Sequence, residues 1–287
     1  MTTFGERLRA AVVMHGPLCV GIDPHASLLQ DWGLEVSAAG ARELGLRVVS
    51  AAAGRVGVVK PQVSFFERFG SAGYAALEDV LRAAREAGLL VIADAKRGDI
   101  GTTMGAYAAA WLASGSPLEA DAVTVSPYLG VGGDGLVEGP LASTFALAAQ
   151  ERKGVFVLAA TSNPGAAALQ GARVAGRGTV ASYVAEEVAR ADLDRGPDEW
   201  ASLGLVVGAT VDIAAAGITE TIAARLPILA PGFGAQGAQP GNLVGIFGSL
   251  APFVLASESR SVLSAGPADL AARIEERVGL YRESSHV

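Results

Sequence analysis

Residues 89–103 read Leu89-Leu90-Val91-Ile92-Ala93-Asp94-Ala95-Lys96-Arg97-Gly98-Asp99-Ile100-Gly101-Thr102-Thr103. The first five are apolar and read as a buried strand. Asp94 and Lys96 stand two apart, so on extended backbone they face the same way. Asp99 lies beyond the strand, where the chain can turn back toward them. An acid, an ammonium and a second acid at the rim of an apolar strand are costly to desolvate and persist only if paired or used. A buried Asp–Lys pair closing a strand end accounts for two of these charges. Three of them, with Thr102 and Thr103, at the junction of strand and loop point to a site.

The same sequence of apolar run and polar end recurs on both sides of this stretch. Apolar runs at 18–22, 56–59, 89–93, 122–125, 155–160, 205–209, 228–230 and 253–256 give eight predicted strands. They lack alternating polarity, as expected of parallel strands covered on both faces. Ala-rich segments at 71–88, 101–114, 179–195 and 212–225 suit amphipathic helices, and a last helix is expected over 267–282. Gly88 and Gly204 fall just before strands, where a helix cap needs a left-handed residue. Eight strand–helix repeats predict an α/β fold, a (β/α)8 TIM barrel forming a single domain over 1–287, with a doubly wound open sheet as the alternative. No linker or composition shift divides the chain. Two inserts, 165–178 and 194–203, read as loop excursions.

Chemistry in a barrel sits at the C-terminal strand ends. There the sequence delivers Asp23 after the first run, Lys60 at the second, in Val59-Lys60-Pro61-Gln62, and Asp94, Lys96 and Asp99 at the third. Thr124 and Ser126 end the fourth, and Thr161, Ser162 and Asn163 follow the fifth. The seventh leads into Pro231-Gly232-Phe233-Gly234-Ala235-Gln236-Gly237, and the eighth ends in Ser257-Glu258-Ser259-Arg260-Ser261. Scattered core ion pairs would not keep to one end of every run.

The glycines at 232, 234 and 237 fit a dinucleotide fingerprint, with Glu258 about twenty residues on. Only one strand follows them, so no nucleotide-binding half can be completed, and a helix is expected to start near Pro240 rather than at the glycines. A phosphate-gripping loop is the better functional reading, against that of a plain Gly-rich turn. Arg260, one strand later, favours the phosphate, because guanidinium matches phosphate oxygens in pairs. The segment 130–135 reads only as a loop. Lys60 stands against the reading of a snorkelling surface lysine, and Asp23 either caps the next turn or accepts from a sugar hydroxyl.

The chain has 22 basic and 29 acidic residues, a net charge of −7, which argues against a nucleic-acid or anionic-membrane surface. No window reaches the ~18 apolar residues of a membrane span, and no signal peptide is read, so a soluble cytoplasmic protein is expected. Cys19, the sole cysteine, reads as a buried thiol. His15, His25 and His286 lack metal-ligand spacing, and Cys19 supplies no thiolate cluster, so a zinc site is not expected. No Gly-x-Ser-x-Gly elbow is present.

The motif Asp94-Ala95-Lys96-Arg97-Gly98-Asp99-Ile100 with Thr103 resembles the D-x-K-x-x-D-I-x-x-T pattern of the orotidine 5′-phosphate decarboxylase family. The wording around Lys60 and Asp94 is similar to its longer bacterial branch, and the likeness runs from about residue 18 to 261. The resemblance implies cofactor-free decarboxylation of orotidine 5′-phosphate to UMP in pyrimidine biosynthesis. It implies Lys96, Asp94, Asp99 and Lys60 as catalytic, and Asp23, Thr103, Ser162, Pro231, Gln236 and Arg260 as substrate-binding. It also implies a homodimer with shared sites, Asp99 and Thr103 reaching into the partner's. Mg2+-dependent phosphosugar decarboxylases and aldolases of the same superfamily carry a glutamate where this chain has Lys60, and an ammonium there repels a metal. A non-catalytic nucleotide-binding barrel is the other alternative.

Overall fold

The computed structural model describes residues 2–132, 139–192 and 200–284. Part of the loop expected at 130–135 and of the insert 194–203 lies outside these residues, as does the end of the helix expected over 179–195. Eight parallel strands close into a barrel: β1 (Leu18–Ile22), β2 (Val58–Pro61), β3 (Leu90–Arg97), β4 (Ala122–Val125), β5 (Gly154–Ala160), β6 (Leu203–Val207), β7 (Ile228–Pro231) and β8 (Val254–Glu258). Each pairs with its neighbours in chain order, and β8 closes on β1 through Leu18–Ala256 and Val20–Glu258. The open-sheet alternative is thereby overturned.

The apolar runs separate into two layers once the period-two geometry is applied. Leu18, Val20 and Ile22 of β1, Val59 of β2, Val91 and Ala93 of β3 pack outward into the layer shared with the helices. Cys19, Val58, Ile92, Ala122, Phe156, Val206, Leu229 and Leu255 form a second cluster inside the barrel. The inward parity that sets this apolar floor also aims Lys60, Asp94 and Thr124, two residues further along their strands, at the mouth.

The floor is completed by helix Phe4–His15, started by a capping box between Thr3 and Glu6. Phe4 and Leu8 are fully buried, and Phe4 meets Phe156 edge-on at 6.2 Å. Arg7 ties this helix to the strand ends, donating to Asp121 at 2.7 Å and to the Arg152 carbonyl at 2.9 Å.

Several local expectations need correction. Gly88 does cap a helix, with φ +77°, but Gly204 lies within β6 and caps nothing. Its lack of a side chain serves packing: a Cβ there would sit 2.4 Å from the Pro227 carbonyl and 2.7 Å from the Phe156 ring. The helix expected over 212–225 shrinks to Glu220–Ala223. Asp212 accepts from the Ala215 N–H at 2.9 Å, and Gly217 adopts φ +73°, so local turns replace the helix ladder. The insert 165–178 is not a bare loop. It folds into helix Ala166–Gln170 and a small antiparallel pair, Arg173–Val174 with Gly178–Thr179. A helical turn does begin at Pro240.

Candidate active site at the barrel mouth

β3 does not end at Ala93 but continues through the charged motif to Arg97, with a register shift against β4 between Ala93 and Arg97. At the shift Lys96 adopts φ +49°, a left-handed conformation that costs a non-glycine residue about 1–2 kcal/mol. The Lys96 N–H is held by Thr124 Oγ1 at 3.0 Å. The kink lets the Lys96 ammonium fold back onto Asp94 of its own strand.

Asp94 is the hub. Its Oδ2 accepts from Lys60 Nζ at 2.8 Å, and its Oδ1 accepts from Lys96 Nζ at 2.6 Å and from Thr124 Oγ1 at 2.9 Å. Gln62 adds a contact on each side, its Oε1 accepting from Lys96 Nζ at 3.3 Å and its Nε2 donating to the Asp94 carbonyl at 3.1 Å. Lys60 and Asp94 are 6% and 7% exposed, whereas the Lys96 side chain keeps 44% of its surface open toward the mouth. Burial alone would raise the Asp94 pKa, but Lys60 and Lys96 outweigh it and hold the carboxyl well below the usual range. Burial likewise opposes the Lys60 charge, and Asp94 with Asp23 reverses this, so the ammonium is held more firmly than a free lysine. One acid therefore sits between two ammoniums. The inner ammonium is locked and the outer one is presented.

Beneath this layer, burial pushes the Cys19 thiol up to about 12, so it stays protonated and inert. Beside it, Asp23 Oδ1 and Ser259 Oγ are buried without a hydrogen-bond partner among the described residues. Ser259 packs against Gly21, where a Cβ would lie 2.7 Å from the Ser259 Cβ.

The remaining sequence-predicted residues line the rim. Asp99 does not join the ammoniums of its own chain; its Oδ1 accepts from the Ile100 N–H at 2.8 Å. Thr103 is exposed on the first turn of helix Gly101–Leu112. Ser162 is exposed just past β5. Pro231 ends β7 in register with Ser257 of β8, so the glycine loop and Arg260 rise from adjacent strands. That loop turns at Gly232 and Gly234, with φ +122° and +69°, and raises Gln236 at an exposed tip. Arg260 is exposed at the start of helix Arg260–Leu263. Glu258 points the other way, taking Arg277 at 2.7 Å and the Tyr281 hydroxyl at 2.6 Å, which removes it from any ribose role. Thr124 reads from sequence only as a polar strand-end residue, and Gln62 only as a member of the stretch around Lys60. Their signal was their position, and their partners were invisible before the barrel closed. Among the described residues no group of three His, Cys, Asp or Glu side chains is placed to hold a metal ion.

Residues 16–249 match the family model described as "Orotidine 5'-phosphate decarboxylase / HUMPS family". A relative from Salinispora arenicola, named orotidine 5′-phosphate decarboxylase, is 53% identical over 95% of this chain and 93% of its own length. One of the same name from Streptomyces coelicolor is 48% identical over 93% and 92%. A crystal structure from Streptomyces avermitilis superposes with a TM-score of 0.91 at 45% identity, covering 100% of this chain and 97% of that one. The Leishmania donovani OMP decarboxylase structure gives 0.78 at 31% identity, covering 100% of both.

Proposed function

We infer the reaction from one premise: the chain belongs to the orotidine 5′-phosphate decarboxylase / HUMPS family. It is a carboxy-lyase that converts orotidine 5′-phosphate to UMP in pyrimidine biosynthesis. The observation that carries this reading is Asp94 bridging a buried Lys60 and an open Lys96 at the mouth.

The difficulty of the reaction is a carbanion on a pyrimidine carbon with little resonance relief, so stabilising charge must already be in place. Substrate sets its carboxylate near Asp94. As carbon dioxide leaves, the electron pair stays on the ring carbon beside Lys96, whose ammonium stabilises it and then gives it a proton. Lys60 keeps Asp94 ionised and fixed. Asp23 takes a ribose hydroxyl, which suits its buried, unpartnered oxygen. Ser162 meets the pyrimidine, and Pro231, Gln236 and Arg260 take the phosphate, so remote binding energy serves the reacting carbon. Lys60 in place of a glutamate disfavours the Mg2+-dependent phosphosugar chemistry. The charged set at the mouth disfavours a silent binder, which has little reason to bury it.

The reading extends to a homodimer in which Asp99 and Thr103 complete the partner's site. Exposed Ile100 and Tyr128, 59% and 77% open, flank this edge and support it. Residues 1–287 act as one catalytic domain. A cytoplasmic location suits a lone, buried, reduced cysteine; among the described residues no helix is long and apolar enough to cross a membrane.

The test is loss of orotidine 5′-phosphate absorbance on incubation with the protein. Lys96→Ala is expected to cut turnover by about 10³-fold or more while calorimetry still detects UMP binding. Near-normal turnover in that variant removes Lys96 from the chemistry, and activity lost to a chelator and restored by Mg2+ favours the phosphosugar reaction.

A further inference from the structure

We propose that the insert 165–178 is a bracket that fixes the pyrimidine-facing turn after β5, with Gln170 as its positioning residue; this rests on the role given to Ser162 above. Gln170 closes helix Ala166–Gln170 and turns its amide back onto Thr161. Its Oε1 accepts from the Thr161 N–H at 2.8 Å and its Nε2 donates to Thr161 Oγ1 at 3.0 Å. The Thr161 hydroxyl in turn donates to Asn163 Oδ1 at 2.7 Å, and the Asn163 carbonyl accepts from Ala166 at 2.9 Å. Both neighbours of Ser162 are thus tied down. Ser162 itself is exposed just past β5, and its side chain makes no hydrogen bond among the described residues.

A second wall comes from the residue that follows β6. Gly208 donates to the Ala160 carbonyl at 2.8 Å, and a Cβ on Gly208 would lie 3.2 Å from both the Ser162 nitrogen and its Cβ. The Ser162 backbone is therefore backed by a glycine on one side, and its neighbour Thr161 is held by a side-chain amide on the other.

A five-residue helix has little stability of its own, so the bracket needs anchoring, and the rest of the insert supplies it. Val180 donates to the Ala172 carbonyl at 2.9 Å, closing the hairpin. Thr179 Oγ1 donates to the Ala216 carbonyl in the segment after β6, and Arg177 reaches Glu187 on helix Val180–Ala191 at 3.3 Å. The insert thus runs from the fixed outer layer to the turn that presents Ser162. An enzyme that must hold a flat ring against one hydroxyl gains from that rigidity, because small misplacements at a reacting centre carry large rate costs.

The experiment is a double-mutant cycle on kcat/KM for orotidine 5′-phosphate. Ser162→Ala and Gln170→Ala are each expected to lower it about tenfold, the scale of one lost hydrogen bond of ~1.4 kcal/mol. If Gln170 acts through Ser162, the double variant falls no further than either single one. Gln170→Glu, whose carboxylate keeps the bond from the Thr161 N–H and loses only the donor to Thr161 Oγ1, is expected to recover part of the loss. A general structural defect would not follow that pattern. Should Gln170→Ala not fold, Gln170→Met, similar in volume and lacking both polar atoms, takes its place in the cycle. Losses that multiply in the double variant, or full activity in Gln170→Ala with Ser162→Ala impaired, overturn the bracket alone. Full activity in Ser162→Ala overturns the role of Ser162 and the bracket with it.

Discussion

Asp94 accepts from two ammoniums and a hydroxyl in a space nearly closed to water, and its charge is bound to theirs across a wide pH range. Its folded pKa lies below the unfolded value of about 4, so its stabilisation is present above that value and fades as pH falls through the folded one. Lys60 is raised, so its contribution is present below about 10 and fades as pH rises through its folded value. Asp94→Asn leaves Lys60 buried without its counter-charge and is expected to cost about 3–5 kcal/mol. Denaturant titrations should find that gap constant between about pH 5 and 9, and narrowing below about pH 4 as Asp94 of the unfolded wild-type chain takes up a proton. A gap that widens in acid would contradict the assigned charge states. The spacing of Asp94 and Lys96 made their pairing legible in sequence. It could not disclose the left-handed turn at Lys96, because nothing local in Ala95-Lys96-Arg97 favours φ +49°; the register shift against β4 imposes it. Asp99 was legible as an acid near the motif, but its spacing gave no signal that its carboxylate turns onto the Ile100 N–H instead of the ammoniums of its own chain.

Strands were read well because both of their faces are buried and long apolar runs have few other uses. Helices were read less well where side chains compete with the backbone, as Asp212 does after β6. Gly204 shows how one residue type carries two meanings. A glycine before a strand suggests a cap, yet here it gives the Phe156 ring and the Pro227 carbonyl room inside β6. Gly204→Ala forces strand and ring apart, and overpacking of this kind costs about 1–3 kcal/mol. Urea unfolding should show that loss, and an unchanged midpoint would mean β6 adjusts freely. The insert between β5 and β6 was legible as extra chain, but its architecture depends on contacts with Ala216 and Glu187, which no local pattern announces.

At the scale of the whole molecule, the proposed shared-site dimer carries a quantitative prediction. Lys96→Ala and Asp99→Ala homodimers are each expected to be nearly inactive. In a re-equilibrated equal mixture half the dimers are hybrids, each with one complete site, so roughly a quarter of wild-type activity should return. No recovery on mixing would place Lys96 and Asp99 in the same protomer's site. The order of strand-end residues around the mouth was legible because a barrel converts sequence order into position. The closing of the opposite end was not, since Phe4, Leu8 and Trp200 come from distant parts of the chain and meet only in the fold.

That closing has a consequence for traffic. With Phe4, Leu8 and Phe156 filling the interior below the charges, the barrel is a cul-de-sac, not a tunnel. Among the described residues the mouth is then the one doorway, so a nucleotide bound there as proposed enters by it, and the gas it sheds departs by the same way, past its former host. Admission and both departures thus share one route, with no rear exit among the described residues to uncouple them.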